Sequence, residues 1–544
     1  MKKVKITLIF LFLLTLPTLL PFFNNQFFYT QDHIFIARLQ QMSAALSDGH
    51  FPVRWAPDMR FGEPLFNFYA PLPYYLGALL KLLGFNFIWV AKILFILSSV
   101  LSALTMYIFC RKLFSRRASF LAVALYIYAP YRAVDLYVRG ALSEAFAFVF
   151  FPLIFYVSLL LSQKISLIRI SFLALTIAGL ILTHNVTTLM FLPFLVTWWI
   201  YLIVTGKNLK LTLPFLASFA LSLGLAAFFL LPALLEREFI QTKYLIVGYF
   251  DFRAHFVAFG QFFSTFWGYG ASLWGPKDDM SFQIGLVHWA TLALATMTGF
   301  IFRKDKKFFG LLVILGFSFL LSIFMQHNKS AFLWEAVPFM AFIQFPWRFL
   351  AISVFIVSLI GALIADYFKD RFKITYFILF ISLILWNIQY FKPKNYVEDS
   401  FFDKFLQVES MRKGVDLTKD YLPIWVQSVD GGVFNIPQAK VGEIEVSNLK
   451  RSSIFLDASI NVSTPSVIEV PITYFPGWQV SVNDRVVPQI LPSKMGLLRF
   501  ELPKGDYKIK IQFKDTLVRM YGNMISLASL FMLAIFLYKG YKLR

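Results

Sequence analysis

Long apolar stretches recur through most of this sequence, and they restrict its fold more than any other feature does. A helix needs about 20 residues to cross the roughly 30 Å hydrocarbon core of a bilayer. Twelve stretches are close to that length: 4–23, 85–110, 118–137, 141–162, 167–184, 186–205, 210–232, 284–302, 308–325, 347–367, 373–391 and 521–539. Only 15% of the residues are charged and 58% are hydrophobic, which argues against soluble enzymes and nucleic-acid-binding proteins. The sequence therefore predicts an α-helical polytopic membrane protein with about 12 transmembrane helices.

The formal net charge of +21 is concentrated in short segments between the apolar stretches. If the N-terminus is cytoplasmic, the cytoplasmic segments are 1–5, 111–117, 163–169, 206–210, 303–307, 368–373 and 539–544. They contain 21 Lys and Arg residues and two acidic residues, which fits the positive-inside rule. We therefore predict a multi-pass protein of the cytoplasmic membrane with both termini inside and an uncleaved first helix. The charge is a topology signal, so we expect no nucleic-acid partner.

This orientation places four large segments outside the cell: 24–84, 233–283, 326–346 and 392–520. Apolar residues recur at helical spacing in the first of them, at Phe35, Leu39, Met42 and Leu46. This pattern predicts an amphipathic helix over 31–48, with Thr30 as its N-cap and Gly49 as its stop. The apolar segment 71–84 is too short to cross and is expected to lie in the outer interface.

The last exterior segment differs from the others because it is polar and strand-like. Alternating apolar residues over 507–513 predict a strand, and Val480–Val482 followed by Asn483 and Asp484 predicts a hairpin. We expect a small antiparallel β-sandwich within 392–520. The predicted domains are thus a transmembrane domain over 1–391, the exterior β domain over 392–520, and a final helix with a cytoplasmic tail over 521–544.

Several motifs in the exterior segments point to a family. They are Gln31-Asp32-His33, PVRWAP at 52–57, GEPLFNFYAPLPY at 62–74, QFPWRFL at 344–350, YFPGW at 474–478 and VNDRVV at 482–487. The chain resembles the polytopic membrane proteins called 6-pyruvoyl-tetrahydropterin synthase-related, and the neighbouring YfhO-like proteins. Both are similar to the GT-C superfamily of membrane glycosyltransferases. One cysteine and six scattered histidines offer no metal-ligand spacing, so the family name implies no pterin chemistry and we predict no metal ligands.

The resemblance implies a GT-C-like fold and a sugar donor linked to polyprenyl phosphate, with a glycan, lipid or protein as acceptor and membrane lipids as surroundings. It also implies an acidic catalytic residue in the first exterior loop, a position that Asp32 matches. It leaves a divalent metal open as a cofactor. Transfer needs a carboxylate base, cations for the departing phosphate and a pocket that excludes water. The predicted substrate-binding residues are His33, Arg54, Arg139, His184, Trp267 and Arg348.

Each of these residues also has a structural interpretation. Asp32 could stabilise the start of its helix, Arg54 could reach lipid head groups, and Trp267 could belong to an interfacial aromatic belt. Asp135 and Glu144 are second acidic candidates, or form plain ion pairs with nearby arginines. Two other functions stay open: a transporter or flippase of lipid-linked sugars, and a non-catalytic cell-envelope assembly protein.

Overall fold

Helices dominate the computed structural model, which describes residues 2–368, 373–414, 419, 421–429, 431–487 and 490–542. The helices up to residue 206 are α1 (Lys2–Thr15), α2 (Phe35–Ser47), α3 (Leu65–Phe68), α4 (Leu72–Leu82), α5 (Phe87–Leu113), α6 (Arg116–Ile127), α7 (Pro130–Ala133), α8 (Leu142–Gln163), α9 (Leu167–Thr183) and α10 (Asn185–Gly206). The later helices are α11 (Thr212–Leu225), α12 (Ala227–Leu235), α13 (Leu286–Ile301), α14 (Lys306–Gln326), α15 (Ala331–Ala336), α16 (Leu350–Phe368), α17 (Lys373–Asn387), α18 (Ser400–Asp403), α19 (Val408–Arg412) and α20 (Leu517–Lys542). The predicted cytoplasmic segments 368–373 and 539–544 lie partly outside the described residues.

The chain is a membrane protein with several apolar helices. Seven described helices are long and apolar enough to cross a membrane: Val4–Phe23, Phe87–Leu113, Leu142–Gln163, Asn185–Gly206, Lys306–Gln326, Pro346–Phe368 and Leu517–Lys542. The helices Leu209–Leu225 and Ala227–Leu235 form an eighth span if their 74° bend lies within one crossing. Three shorter apolar helices are Leu167–Thr183, Leu286–Ile301 and Ile374–Tyr390. Length and composition thus support seven or eight spans among the described residues, fewer than the twelve expected.

The stretch predicted at 118–137 is helical but interrupted. Helix α6 ends at Ile127, and Pro130 begins the short helix α7. Proline disfavours helical geometry in the residue before it and lacks a backbone N–H, so the chain changes direction at Ala129. A π-helical turn over Val134–Arg139 follows and ends at Gly140, whose φ is +67°. This break places the polar residues of 131–144 at the end of the helix bundle.

Helix α16 lies at the centre of the bundle and packs against α6, α13 and α14. Its close approach to α6 depends on Gly361, because a Cβ there would lie 2.3 Å from the Leu125 side chain. The buried Lys92 of α5 donates to the backbone oxygens of Asn24 and Asn25 at 2.6 and 3.0 Å. This cation therefore holds the end of the first span against α5.

The first exterior loop differs from its prediction at the start of its helix. Helix α2 begins at Phe35 rather than at 31, and Thr30 makes no side-chain cap. The reason is that the N–H groups of Gln31 and Asp32 donate to the carbonyl oxygens of Val138 and Arg139. Gly49, with φ of +79°, follows its end as expected. The segment predicted at 71–84 contains α4, which packs against α2 and α5.

The C-terminal region, for which we expect an exterior position, is a β-sheet region, as predicted. Its strands are β3 (Gln438–Val441), β4 (Ile444–Arg451), β5 (Phe455–Val462), β6 (Ser466–Thr473), β7 (Trp478–Val482), β8 (Arg485–Val486), β9 (Leu497–Leu502) and β10 (Gly505–Phe513), while β1 (Phe27–Phe28) pairs with β2 (Tyr396–Val397) nearer the membrane domain. One antiparallel sheet has the order β4-β5-β10-β7-β8 and the other the order β3-β6-β9. Side chains from both sheets share one apolar core that also includes Trp55 of the first exterior loop. The hairpin predicted at 483–484 joins β7 and β8 through two residues with positive φ.

Candidate functional site

The π-helical turn and the first turn of α8 build a buried charged cluster. Asp135 and Arg139 lie four residues apart, and the Arg139 Nη1 donates to Asp135 Oδ1 at 2.5 Å and to Glu144 Oε2 at 2.8 Å. The Tyr131 hydroxyl donates to the other Glu144 oxygen at 2.6 Å. Both carboxylates are almost fully buried, with side-chain exposures of 0% and 1%. Glu144 is therefore the centre of the cluster, and both of its oxygens have a donor.

Two further predicted residues join this cluster from distant helices. Arg348, just before α16, has its Nε 3.7 Å from Glu144 Oε2, and its Nη1 donates to the Ile343 carbonyl at 2.7 Å. The Arg348 Nε has no hydrogen-bond partner among the described residues, so one donor of this guanidinium is unused. His184, between α9 and α10, interacts electrostatically with Glu144, Arg348 and Arg139, and its Nδ1 lies 2.5 Å from the Thr187 hydroxyl.

The segment that carries Asp32 contacts the π-helical turn of this cluster through its backbone. Its backbone N–H donates to the Arg139 carbonyl oxygen at 2.7 Å, which fixes the start of the loop against the π-helical turn. Its carboxylate accepts from Arg38 Nη1 at 3.3 Å, and Arg38 also donates to the Tyr69 hydroxyl at 3.1 Å. Tyr69 interacts electrostatically with Arg348, so it connects the Asp32 pair with the Glu144 cluster.

Exposure distinguishes Asp32 from the other two carboxylates. Its side chain is 37% exposed, whereas those of Asp135 and Glu144 are buried. Burial works against the charge of Arg38, but Asp32 and Tyr69 hold the pKa of Arg38 above its ordinary value. A permanently charged arginine thus orients the most exposed of these three carboxylates.

An aromatic wall closes the other side of the cluster. The Arg139 guanidinium lies over the Trp347 ring at 4.6 Å, and Phe282 stacks against the same ring with centroids 5.7 Å apart. The Trp347 indole donates to the Ser272 hydroxyl at 3.2 Å, which also lies 2.8 Å from His255 Nδ1. Burial lowers the pKa of His255, so this histidine stays neutral. The loop at 267–282 is therefore part of the site's enclosure.

Three predicted substrate-binding residues lie outside the Glu144 cluster: His33, Trp267 and Arg54. His33 contacts the Thr30 carbonyl at 2.8 Å and packs against Phe405, facing the C-terminal exterior region. Trp267 stacks on Tyr390 with centroids 4.7 Å apart. Its loop meets the site through Gly270 instead, whose carbonyl accepts from the Gln31 side chain at 2.6 Å.

Arg54 belongs to a second buried network, which we call the joint cluster: Arg54, Asn67, Glu236, Asp515, Thr516, Arg519 and Asn523. Arg54 donates to Asn67 and Asn523 at 3.2 and 2.8 Å and lies 3.4 Å from Asp515. Glu236 accepts from Arg519 at 2.9 Å and from Asn67 at 2.7 Å. Because Arg519 also donates to the Pro476 carbonyl at 2.9 Å, this cluster ties the exterior sheets to α12 and α20.

Sequence reasoning missed Arg38, Tyr69 and Tyr131. Arg38 carried a signal, since it interrupts the otherwise apolar run Ile34–Leu39 and a buried arginine needs a partner. Tyr69 and Tyr131 stand among many aromatic residues and had no distinguishing pattern. Among the described residues, no three His, Cys, Asp or Glu side chains come together as a metal-binding group.

Two comparisons with known proteins give matches, and one of them covers much of the transmembrane part. The family described as "6-pyruvoyl-tetrahydropterin synthase related domain; membrane protein" matches residues 66–393. The matched stretch contains the cluster residues Tyr69, Tyr131, Asp135, Arg139, Glu144, His184 and Arg348. An uncharacterized protein of Lactococcus lactis subsp. cremoris (strain MG1363) is 30% identical over 239 residues, which cover 42% of this chain and 39% of the relative. The alignment thus spans about two fifths of that relative's length.

Proposed function

The chain belongs to the 6-pyruvoyl-tetrahydropterin synthase-related family of membrane proteins, and from this premise we propose that it is an integral-membrane glycosyltransferase. It moves a sugar from a polyprenyl-phosphate donor to an extracytoplasmic glycan, lipid or protein acceptor. The proposal includes a GT-C-like arrangement of about 12 spans with both termini in the cytoplasm. It also includes an exterior β-sandwich formed by the two antiparallel sheets.

One observation carries this proposal: Asp32 and the Glu144 cluster are hydrogen-bonded neighbours. The 2.7 Å bond from the Asp32 N–H to the Arg139 backbone carbonyl holds the segment with this partly exposed carboxylate against the π-helical turn that carries Arg139. An acid next to cations at the rim of a membrane domain is the arrangement that transfer from a lipid phosphate requires. The cluster of Arg139, Arg348, Asp135 and Glu144 would bind one phosphate through the Arg348 Nε, which has no hydrogen-bond partner among the described residues.

The proposed reaction assigns a task to each residue. The Asp32 carboxylate accepts the proton of the acceptor hydroxyl as that oxygen forms a bond to the anomeric carbon. The bond from the anomeric carbon to the phosphate oxygen breaks, and Arg348 stabilises the charge that develops on the leaving phosphate. Arg38 and Tyr69 hold Asp32 in position without contacting the reacting atoms. The apolar surroundings keep water away from the donor and limit hydrolysis.

The experiment is sugar transfer by the purified protein in lipid nanodiscs, measured with radiolabelled polyprenyl-phosphate sugars and membrane extracts as acceptor. Asp32→Asn keeps the shape of the side chain and removes its basicity, so we expect a loss of about 100-fold or more. The matched control is Asp399→Asn, which alters an exposed exterior acid outside the site. Full activity of the Asp32→Asn protein with normal membrane insertion would reject Asp32 as the base.

The transporter or flippase alternative has an observation of its own in its favour. Helices α11 and α12 meet at a 74° bend, and the π-helical turn interrupts a second apolar stretch. Interrupted helices beside a charged site are typical of secondary transporters. Proteoliposomes that move a lipid-linked sugar across the bilayer without any transfer to an acceptor would favour this alternative.

A further inference from the structure

A cavity in the exterior loop at 261–282 has no role in the chemistry described so far. Its volume is about 240 Å³, and its lining includes Gln261, Phe266, Lys277, Asp278, Met280 and Phe282. The Phe266 side chain is 50% exposed, whereas Phe282 is buried against Trp347. The cavity therefore combines an accessible aromatic face with polar groups at its edge.

Asp278 is the most firmly held of these polar groups. Its Oδ1 accepts from the Leu273 N–H at 2.7 Å, and its Oδ2 accepts from the Gln261 side chain at 2.7 Å. Each carboxylate oxygen can accept a second hydrogen bond, so a fixed acceptor pair is available to a ligand. Lys277 beside it supplies donors of the opposite charge.

This lining selects among ligand classes. The charges of Lys277 and Asp278 balance, so neither an anion nor a cation gains a net attraction in the cavity. A pyranose ring has one face of C–H groups that packs on an aromatic ring and hydroxyls around its rim. Asp278, Gln261 and Lys277 can pair with such hydroxyls, and Phe266 can take the apolar face.

The cavity also lies next to Gln31, the residue before Asp32. The Gln31 Nε2 donates to Gly270 O at 2.6 Å and lies 4.0 Å from the sulfur of Met280, which lines the cavity. On the other side, Phe282 packs on Trp347, whose ring lies under the Arg139 guanidinium. The cavity thus adjoins Gln31, the residue before the base, and the Trp347 ring that packs against the cationic cluster.

We propose that this cavity is an acceptor subsite that binds a neutral hexopyranosyl unit, so that the acceptor of the proposed transferase is a glycan. This assignment rests on the proposed function, because it names the acceptor of that reaction. It requires no contribution from Asp32 to binding, since Asp32 acts only on the hydroxyl that reacts.

The test uses the full-length protein in nanodiscs, without donor, and ligand-observed NMR titrations with methyl β-glucopyranoside, methyl β-galactopyranoside and methyl α-mannopyranoside. Inorganic phosphate and glucuronic acid serve as anionic probes. We expect at least one neutral hexoside to bind, and about tenfold weaker binding in Phe266→Ala and Asp278→Asn. Phe266→Tyr should retain binding because it keeps the ring. Trp274→Ala is the matched control, as Trp274 is 73% exposed on the same loop and does not line the cavity.

The outcomes separate this inference from the proposed function. Absence of binding for all three hexosides, equal binding in Phe266→Ala, or tighter binding of the anions would overturn the subsite. If hexosides bind in the cavity but the Asp32→Asn protein transfers sugar normally, Asp32 is rejected as the base while the binding site stands. If Asp32→Asn abolishes transfer and no hexoside binds, only the subsite fails.

Discussion

Glu144 offers the sharpest test of the buried cluster, because two arginines and a tyrosine depend on one carboxylate. Glu144→Gln keeps the size of the side chain and one oxygen for the Tyr131 hydroxyl. It removes the charge that lies 2.8 Å from Arg139 and 3.7 Å from Arg348. The new amide N–H₂ then faces guanidinium groups, which are donors themselves, so the substitution leaves buried charge without compensation.

The size of the effect follows from these distances. At an effective dielectric constant of about 20, the two attractions are about 6 and about 4.5 kcal/mol. Much of this is offset by the cost of removing three charges from water, and breaking a buried pair typically costs about 3–5 kcal/mol. We expect Glu144→Gln to reduce the free energy of unfolding by that amount. Glu238→Gln, which changes an exposed acid, should stay within about 0.5 kcal/mol.

The measurement is reversible unfolding in mixed detergent micelles, with Arg139→Gln and the double variant completing a cycle. Arg139→Gln alone removes the ion-pair partner of Asp135 and leaves Glu144 with only Arg348 and the Tyr131 hydroxyl, so its cost should be similar. The double variant should cost about 1–3 kcal/mol less than the sum of the single variants, because it removes both members of the pair. Additive costs, or a loss below about 1 kcal/mol for Glu144→Gln, would refute the network as described.

Two further predictions concern the first exterior loop. Burial, with Arg54 nearby, lowers the pKa of His50 from its ordinary 6.5 to about 4. Between these two values, His50 binds a proton in the unfolded chain but not in the folded chain. The free energy of unfolding should therefore fall by up to about 3 kcal/mol as the pH drops from 6.5 towards 4. His50→Gln should flatten this pH dependence, as measured from melting curves. The same pH dependence in the variant and the wild-type protein would contradict the assignment. At Gly140, φ is +67° and a Cβ would lie 2.3 Å from the Thr30 hydroxyl, so Gly140→Ala should cost at least about 1 kcal/mol more than Gly84→Ala, which has positive φ but open space. Equal melting temperatures for these two variants would show that the loop adapts.

The membrane class and the C-terminal strands could be predicted because each depends on local patterns. Apolar length identifies helices such as Phe87–Leu113, and strict alternation identifies the strand Gly505–Phe513. The hairpin at 483–484 follows from two residues that accept positive φ. The start of α2 at Phe35 could not be predicted in this way, since it is set by hydrogen bonds to residues more than 100 positions later in the chain.

In the candidate site too, local sequence patterns predict some features, and contacts between residues distant in sequence determine the others. Residue type and position at a helix end were sufficient to single out Asp32, Glu144 and Arg348; the structure pairs Glu144 with Arg348 and binds the Asp32 backbone to the adjoining π-helical turn. They could not separate Arg348 from Arg54, because both are arginines of aromatic-rich exterior segments. The difference lies in the partners: Arg54 contacts Asp515, in the connection between β10 and α20, and Asn523 of α20, and both are distant in sequence.

The joint cluster has a consequence for how this chain matures. Glu236 is separated from its partner Arg519 by 283 positions, and Arg54 is separated from its ion-pair partner Asp515 by 461. When residues 54 and 236 have been translated, more than half of the chain must still be translated before either charge can be neutralised. Until then, water or a helper protein at the insertion machinery must stabilise both side chains. Docking of the exterior sheets onto the helices is thus a late event, which occurs once the final membrane helix has been delivered.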